Sequence, residues 1–185
     1  MLSGELTGLR ARAADDVEIL HAELYEDVPT RVQADTRPWV PIPSGPASPY
    51  WVPGLGEDPS GVDAANAGSA HFSVVELATD GLVGEALLWA IDLHNRSAHI
   101  GISLRPAFRG RGFGLDVVRI LCRYGFQLRG LHRLQLETLG DNHAMMAVAE
   151  KAGFTREGMT RGSSWVNGRF LDDVIFGLLA EEFTG

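Results

Sequence analysis

Arg105 to Gly114, RPAFRGRGFG, is the stretch of this sequence whose composition most needs a chemical reason. Glycine gives up more backbone freedom on ordering than any other residue, and neighbouring guanidinium groups repel one another. A bound anion offsets both costs. Gly110, Gly112 and Gly114 let the main chain approach such an anion with no Cβ in the way, while Arg109 and Arg111 offer charge-assisted hydrogen bonds. The flanking residues read as a strand ending near Leu104 and a helix starting near Gly112. The loop therefore leads into a helix N-terminus, where unpaired N–H groups carry about half a positive charge. Pyrophosphate suits that arrangement. The G-x-G-x-G spacing does not meet the G-x-G-x-x-G of dinucleotide folds, and a plain turn has no need of flanking arginines.

The elements that must hold this loop are legible in the hydrophobic pattern. Residues 6–12, LTGLRAR, read as a short strand. A helix capped by Asp15 follows, with Val17, Leu20, His21 and Leu24 on one face, and ends before Pro29. Residues 29–68 hold eight of the nine prolines together with Trp39, Tyr50 and Trp51. That density argues against a regular helix or central strand and for an irregular, partly ordered flap. HFSVVELA and GLVGEALLWAID are strands joined at Asp80-Gly81, and SAHIGISL follows through His94-Asn95-Arg96 to complete an antiparallel meander. After the glycine loop comes a helix with Leu115, Val118, Leu121, Cys122 and Phe126 inward, then the strand HRLQLETL. DNHAMMAVAEKAGF makes a helix that starts at Asp141 or Asn142 and stops at Gly153. Two last strands, 158–165 and 169–179, pair across Asn167-Gly168. The sum is an α/β (α+β) chain with a mixed, mostly antiparallel seven-stranded sheet and about four flanking helices.

Composition bounds the function. The 185 residues suit a single domain, 1–185, and 45% apolar content is ordinary for a globular chain. A net charge of −8 argues against a nucleic-acid partner, and no apolar run nears the roughly 20 residues that span a membrane. The start, MLSGELTGLR, lacks the layout of a signal peptide, and the single cysteine, Cys122, forms no internal disulfide. A reducing cytoplasm is the expected home. Lys151 is the only lysine, which excludes a P-loop, whose motif needs one after its glycine. Arginines gather in the middle of this acidic chain, as a site for a small polyanion requires.

Arg109-Gly110-Arg111-Gly112-Phe113-Gly114 resembles the R/Q-x-x-G-x-G/A signature of the GNAT N-acetyltransferases. The likeness runs from about Leu82 through Phe183. It includes GEALLWAIDLHNRSAHIGISLRPAFRGRGFG, YGFQLRGLHRLQLETLGDNHAMMAVAEKAGF and DDVIFGLL, and it is similar to the RimJ/RimL-type branch. The resemblance implies a sheet splayed between its fourth and fifth strands, with the pantetheine of acetyl-CoA in the gap. It implies that Arg109, Gly110, Arg111, Gly112, Phe113 and Gly114 bind the pyrophosphate. It further implies that main-chain groups of Ile102 and Leu104 pair with the pantetheine, and that Asn142 contacts it. A homodimer is expected by the same likeness.

Acetyl transfer to an amine needs a neutral amine, a polarised thioester and a donor for the developing oxyanion, expected from a backbone N–H near Ser103 or Leu104. Neutralising an α-amine of pKa near 8 at pH 7 costs about 1 kcal/mol, and a lysine near 10.4 closer to 5. His99, which stands where relatives often carry a glutamate, is the first candidate base, with Glu85 next and Glu137 beside the expected splay. The positions that match the family's leaving-group acid, a tyrosine or serine, are Ala149 and Met145, which donate no proton. Two functions are therefore carried forward. One is acetyl-CoA-dependent acetylation of a primary amine, on a protein N-terminus or a small molecule. The other is a non-catalytic acyl-CoA-binding or regulatory module.

Overall fold

The computed structural model describes residues 1–35, 37–52 and 68–185. Eight strands form one sheet: β1 (Leu2–Ser3), β2 (Thr7–Arg10), β3 (Ser69–Glu76), β4 (Leu82–Asp92), β5 (Ser97–Leu104), β6 (Arg133–Leu139), β7 (Thr155–Val166) and β8 (Arg169–Leu179). Their order is β1-β2-β3-β4-β5-β6-β8-β7, and every neighbouring pair is antiparallel except β5 and β6. The seven expected strands are present, and the eighth is the two-residue β1 beside β2. The helices are α1 (Ala14–Leu20), α2 (Val28–Ala34), α3 (Phe113–Arg123) and α4 (His143–Lys151). A parallel pair needs a long crossover, and α3 supplies it between β5 and β6.

The core lies where α3 and α4 cover one face of the sheet. Val117, Val118, Leu121 and Cys122 of α3 and Ala149 of α4 pack with Ala86, Leu88, Ala98, Ile100, Leu134 and Leu136. Burial pushes the Cys122 thiol up to about 12, so it is chemically quiet near neutral pH. A second cluster of Val17, Leu20, Leu24, Tyr25, Tyr50 and Leu82 joins α1 to the proline-rich segment.

Three local expectations change. The residue capping α1 is Ala13, not Asp15; it is the Asp16 carboxylate that reaches back to the Ala13 N–H at 2.8 Å. Residues 29–68 are not wholly irregular, because α2 starts with Asp27 as its cap and Pro29 in its first turn, where a missing N–H costs nothing. The rest of the expected flap divides: 37–52 run without regular structure, and 53–67 lie outside the described residues. β7 begins at Thr155, three residues early, since Thr155 and Arg156 already pair with β8.

One buried carboxylate ties the first strands to the helix of the glycine loop. Asp116, in the first turn of α3, accepts hydrogen bonds from the N–H groups of Glu5, Leu6 and Thr7 at 2.9, 3.0 and 2.8 Å and from the Thr7 hydroxyl at 2.6 Å. Burial alone would raise its pKa, yet these donors hold it below the usual carboxylate range.

Candidate functional site

The sheet opens where the resemblance implied. β5 and β6 pair from Ser97 and Arg133 to Ile100 and Leu136 and no further, although β5 continues to Leu104 and β6 to Leu139. With the short β1 counted, these are the fifth and sixth strands. The alternation of an antiparallel ladder decides which main-chain groups face the gap. Arg105 N–H donates to Val83 O, so the odd-numbered residues of β5 turn their backbone toward β4. Ile102 and Leu104 turn theirs toward the gap. The same alternation removes Ser103 as an oxyanion donor, because its N–H points at β4; the N–H groups of Ile102 and Leu104 are available instead.

A cavity of about 350 Å³ fills the opening, and its walls include Ile102, Ser103, Leu104, Arg109 and Asn142. Leu24, Thr30, Gln33 and Ala34 close it from the α1–α2 side, and Leu139 and Asp141 from β6 and its following turn. Those closing residues carry no motif. Asp27-x-x-Thr30 with Pro29 between was the signal that could have found α2, since the Asp27 carboxylate accepts from both the Thr30 amide and hydroxyl.

At the mouth, Gly110 and Gly112 hold φ values of +72° and +85°, which side chains with a Cβ seldom adopt. Gly112 caps α3, whose first amides belong to Phe113, Gly114 and Leu115. Gly114 serves packing as well: a Cβ there would touch Val148, Ile102 and Leu104 at ordinary contact distance. The arginines divide. Arg109 Nε donates to Leu104 O at 3.0 Å, which keeps its guanidinium at the cavity wall. Arg111 binds Glu76 at 2.7 Å and stacks over the buried Phe113, so it braces the loop instead of pointing into the cavity. Asn142 caps α4 through its Oδ1, which accepts from Met145 N–H at 3.1 Å, and its side-chain amide nitrogen has no hydrogen bond among the described residues.

Glu85 and His99 share one face of the sheet. Register pairs Glu85 with Ser103, Leu87 with Gly101 and Trp89 with His99, and directly opposed residues project to the same side. The two candidate bases thus flank Gly101, next to the point where the strands part. The His99 ring stacks on Trp89 at 4.4 Å, and its buried Nδ1 lies 3.7 Å from Glu137 Oε1 with no hydrogen bond among the described residues. Glu137 also accepts from Gln135, not from Arg133, which pairs with Glu157.

Glu85 is not the exposed strand carboxylate that alternation suggests; its side chain is only 14% exposed. Arg12, whose side chain is wholly buried, donates to Glu85 Oε2 at 3.1 Å and to the carbonyls of Tyr50 and Phe72, both at 2.9 Å. Burial pushes the Glu85 carboxyl above its ordinary pKa, and Arg12 opposes that rise. Sequence reasoning missed Arg12, since nothing in LTGLRAR separates it from the solvent-reaching Arg10. The positions that match the family's acid are apolar packing: Ala149 is buried and Met145 packs against the core.

Comparison with known proteins gives the same picture. The family model for the acetyltransferase (GNAT) domain matches residues 8–155. The uncharacterized N-acetyltransferase p20 of Bacillus licheniformis is 31% identical over 115 residues, 62% of this chain and 65% of that protein. YdaF of Bacillus subtilis, named as a ribosomal N-acetyltransferase, is 36% identical over 104 residues, 56% of this chain and 57% of its own. The matched stretch thus spans less than two thirds of either relative. A spermidine N-acetyltransferase of Vibrio cholerae, solved with CoA and spermine, shares the fold with a TM-score of 0.75 at 22% identity, over 95% of this chain and 96% of that one.

Proposed function

The chain belongs to the GNAT acetyltransferase family, and we propose that it is an acetyl-CoA-dependent N-acetyltransferase acting on a primary amine. The carrying observation is the gap between β5 and β6, with the main chain of Ile102 and Leu104 turned into it and a positive-φ glycine loop at its mouth. Unpaired strand edges accept an extended ligand as an added strand, and a helix N-terminus accepts a phosphate. The pantetheine arm and pyrophosphate of CoA combine both demands. Bound there, the thioester supplies the acetyl group.

The protein's own residues do the rest. Leu104 or Ile102 N–H donates to the oxygen on which charge develops. Arg109 and the amides of Phe113 and Gly114 hold the pyrophosphate, and the Asn142 amide nitrogen steadies the pantetheine. As the new C–N bond forms and the C–S bond breaks, the amine loses a proton to a base. We assign that proton to His99, which lies on the strand bordering the gap, and the departing sulfur takes its proton from water or from another residue, because Ala149 and Met145 have nothing to give. His99→Ala is expected to lower turnover about tenfold or more, with CoA affinity unchanged, as steady-state kinetics and CoA titration would show.

The reading extends to a RimJ/RimL-like branch, supported by the residues quoted above and by the likeness to YdaF. It also extends to a cytoplasmic location, where a buried thiol such as Cys122 stays reduced, and to a homodimer, which sedimentation would reveal. No helix among the described residues is long and apolar enough to cross a membrane. Thiol release from acetyl-CoA across a panel of amines and short peptides with free N-termini tests the activity. Tight CoA binding with no amine-dependent release would instead favour the binding-module reading, which the apolar Ala149 and Met145 positions support.

A further inference from the structure

We propose that Glu85, clamped from one side by the buried Arg12, is the carboxylate that binds the acceptor, its Oε1 receiving an N–H of a cationic primary amine. This rests on the acetyltransferase reading and names a residue pair for it. The geometry comes first. Glu85 stands opposite Ser103, a residue that lines the cavity, and cross-strand partners lie about 5 Å apart at Cβ. Arg12 occupies Oε2 alone, so Oε1 has no hydrogen bond among the described residues. A buried carboxylate with one committed and one open oxygen is an incomplete site, and an ammonium group completes it.

Arg12 is a positioning residue in this account. Its guanidinium bridges the carbonyl of Tyr50 on the proline-rich strap, the carbonyl of Phe72 on β3, and Glu85 on β4. It therefore fixes the carboxylate against the strand and links that placement to the strap. Among the described residues its Nε makes no hydrogen bond, and Glu85 is the one carboxylate it pairs with. Among the described residues the other charged or titratable groups around the Arg12–Glu85 pair are Arg31 of α2 and Asp35 just after it, which pair with each other at 2.6 Å, Tyr50 of the strap, and His71 of β3 beside Arg12. Burial and the nearby Arg12 lower the His71 pKa, and burial followed by Glu85 raises that of Tyr50, so neither adds charge near neutrality. Arg31 and Asp35 largely cancel. Glu85 is then the carboxylate left to meet an incoming cation, and its raised pKa makes amine affinity fall as acid is added.

The test uses the full chain, acetyl-CoA, and two probes, 1,4-diaminobutane and a hexapeptide beginning with alanine. Glu85→Gln is expected to raise the amine KM roughly ten- to hundredfold while leaving the CoA Kd within about twofold. In the wild type the amine KM rises toward acid pH. Arg12→Met leaves burial unopposed and moves that rise to higher pH, and Glu85→Gln abolishes it. The double variant Arg12→Met/Glu85→Gln removes both buried charges, so it guards against a single variant that fails to fold. A readout independent of turnover is the carbon-13 titration of the Glu85 carboxyl, which either probe should shift downward in the presence of CoA. If the wild type releases no thiol with any amine, the acetyltransferase reading falls, and the carboxyl titration still decides the Glu85 assignment. An amine KM unchanged in Glu85→Gln, or a carboxyl titration indifferent to both probes, overturns the proposal.

Discussion

Gly112 shows how a single residue can separate binding from folding. Its φ of +85° lies in the region that a β-branched side chain cannot enter without strain of about 1–3 kcal/mol. The nearest atom to an added Cβ is Leu6 Cδ1 at 3.6 Å, so there is room for the side chain and only the backbone objects. Gly112→Val should therefore re-aim the first amides of α3, raising the CoA Kd at least about tenfold while circular dichroism stays native. Calorimetric titration with CoA checks this; an unchanged Kd would remove the loop from the cofactor site. The glycine spacing was visible in the sequence because backbone needs leave a mark on residue type. The division of labour between Arg109 and Arg111 was not. It depends on Glu76, 35 positions away in the chain, having its carboxylate within reach of one guanidinium and not the other.

Elements supply the next level of cause. α2 exists because Asp27 caps it and Pro29 fits its first turn, and it brings Thr30, Gln33 and Ala34 to the cavity. Asp27→Ala should cost about 1 kcal/mol of local helix stability. Faster hydrogen exchange confined to residues 30–35 would reveal it. α3 is held to the N-terminal strands by four hydrogen bonds on Asp116. Asp116→Ala leaves three amides and a hydroxyl without their acceptor, and each such loss costs about 1–3 kcal/mol before relaxation. A drop of about 3 kcal/mol in urea unfolding is expected, with little change in the CoA contacts themselves. A loss under 1 kcal/mol would show that water replaces the carboxylate. The sequence read α3 and its buried face correctly, since the 3.6-residue period is a local property. It read 29–68 too simply, because proline density reports what most of a segment cannot do and not what its first turn can.

Across the whole molecule, buried carboxylates set the response to acid in two opposing directions. Asp16 is buried, yet its bonds to Arg10, to Ala13 N–H and to Ser73 hold its pKa below the ordinary value, as the N-terminal amides do for Asp116. A depressed carboxylate contributes stability that is present above its unfolded pKa of about 3.9 and is lost as pH falls through the folded value. Glu85 has the reverse sign. Its raised pKa means the folded state holds the proton more tightly, so stability declines as pH rises from about 4.3 through the folded value. Urea unfolding of the apoprotein should therefore show stability rising steeply from pH 2 to about pH 4, then a partial decline. Replacing both Arg12 and Glu85 with Met and Gln should flatten that decline, and Asp116→Ala should shallow the initial rise.

The sequence by itself determined seven of the eight strands and the helices α1, α3 and α4 in chain order, the glycine loop at a helix start, the core-facing stripe of α3 and the family, but neither α2 nor β1. These follow from periodicity, turn chemistry and backbone freedom, all of which act over a few residues. Tertiary structure alone decided where β5 and β6 part, which amides face the gap and that Ser103 is not among them. It also decided that Arg12 lies buried against Glu85. Such facts depend on register between strands far apart in the chain, and a residue's type carries no record of which distant neighbour removes its water.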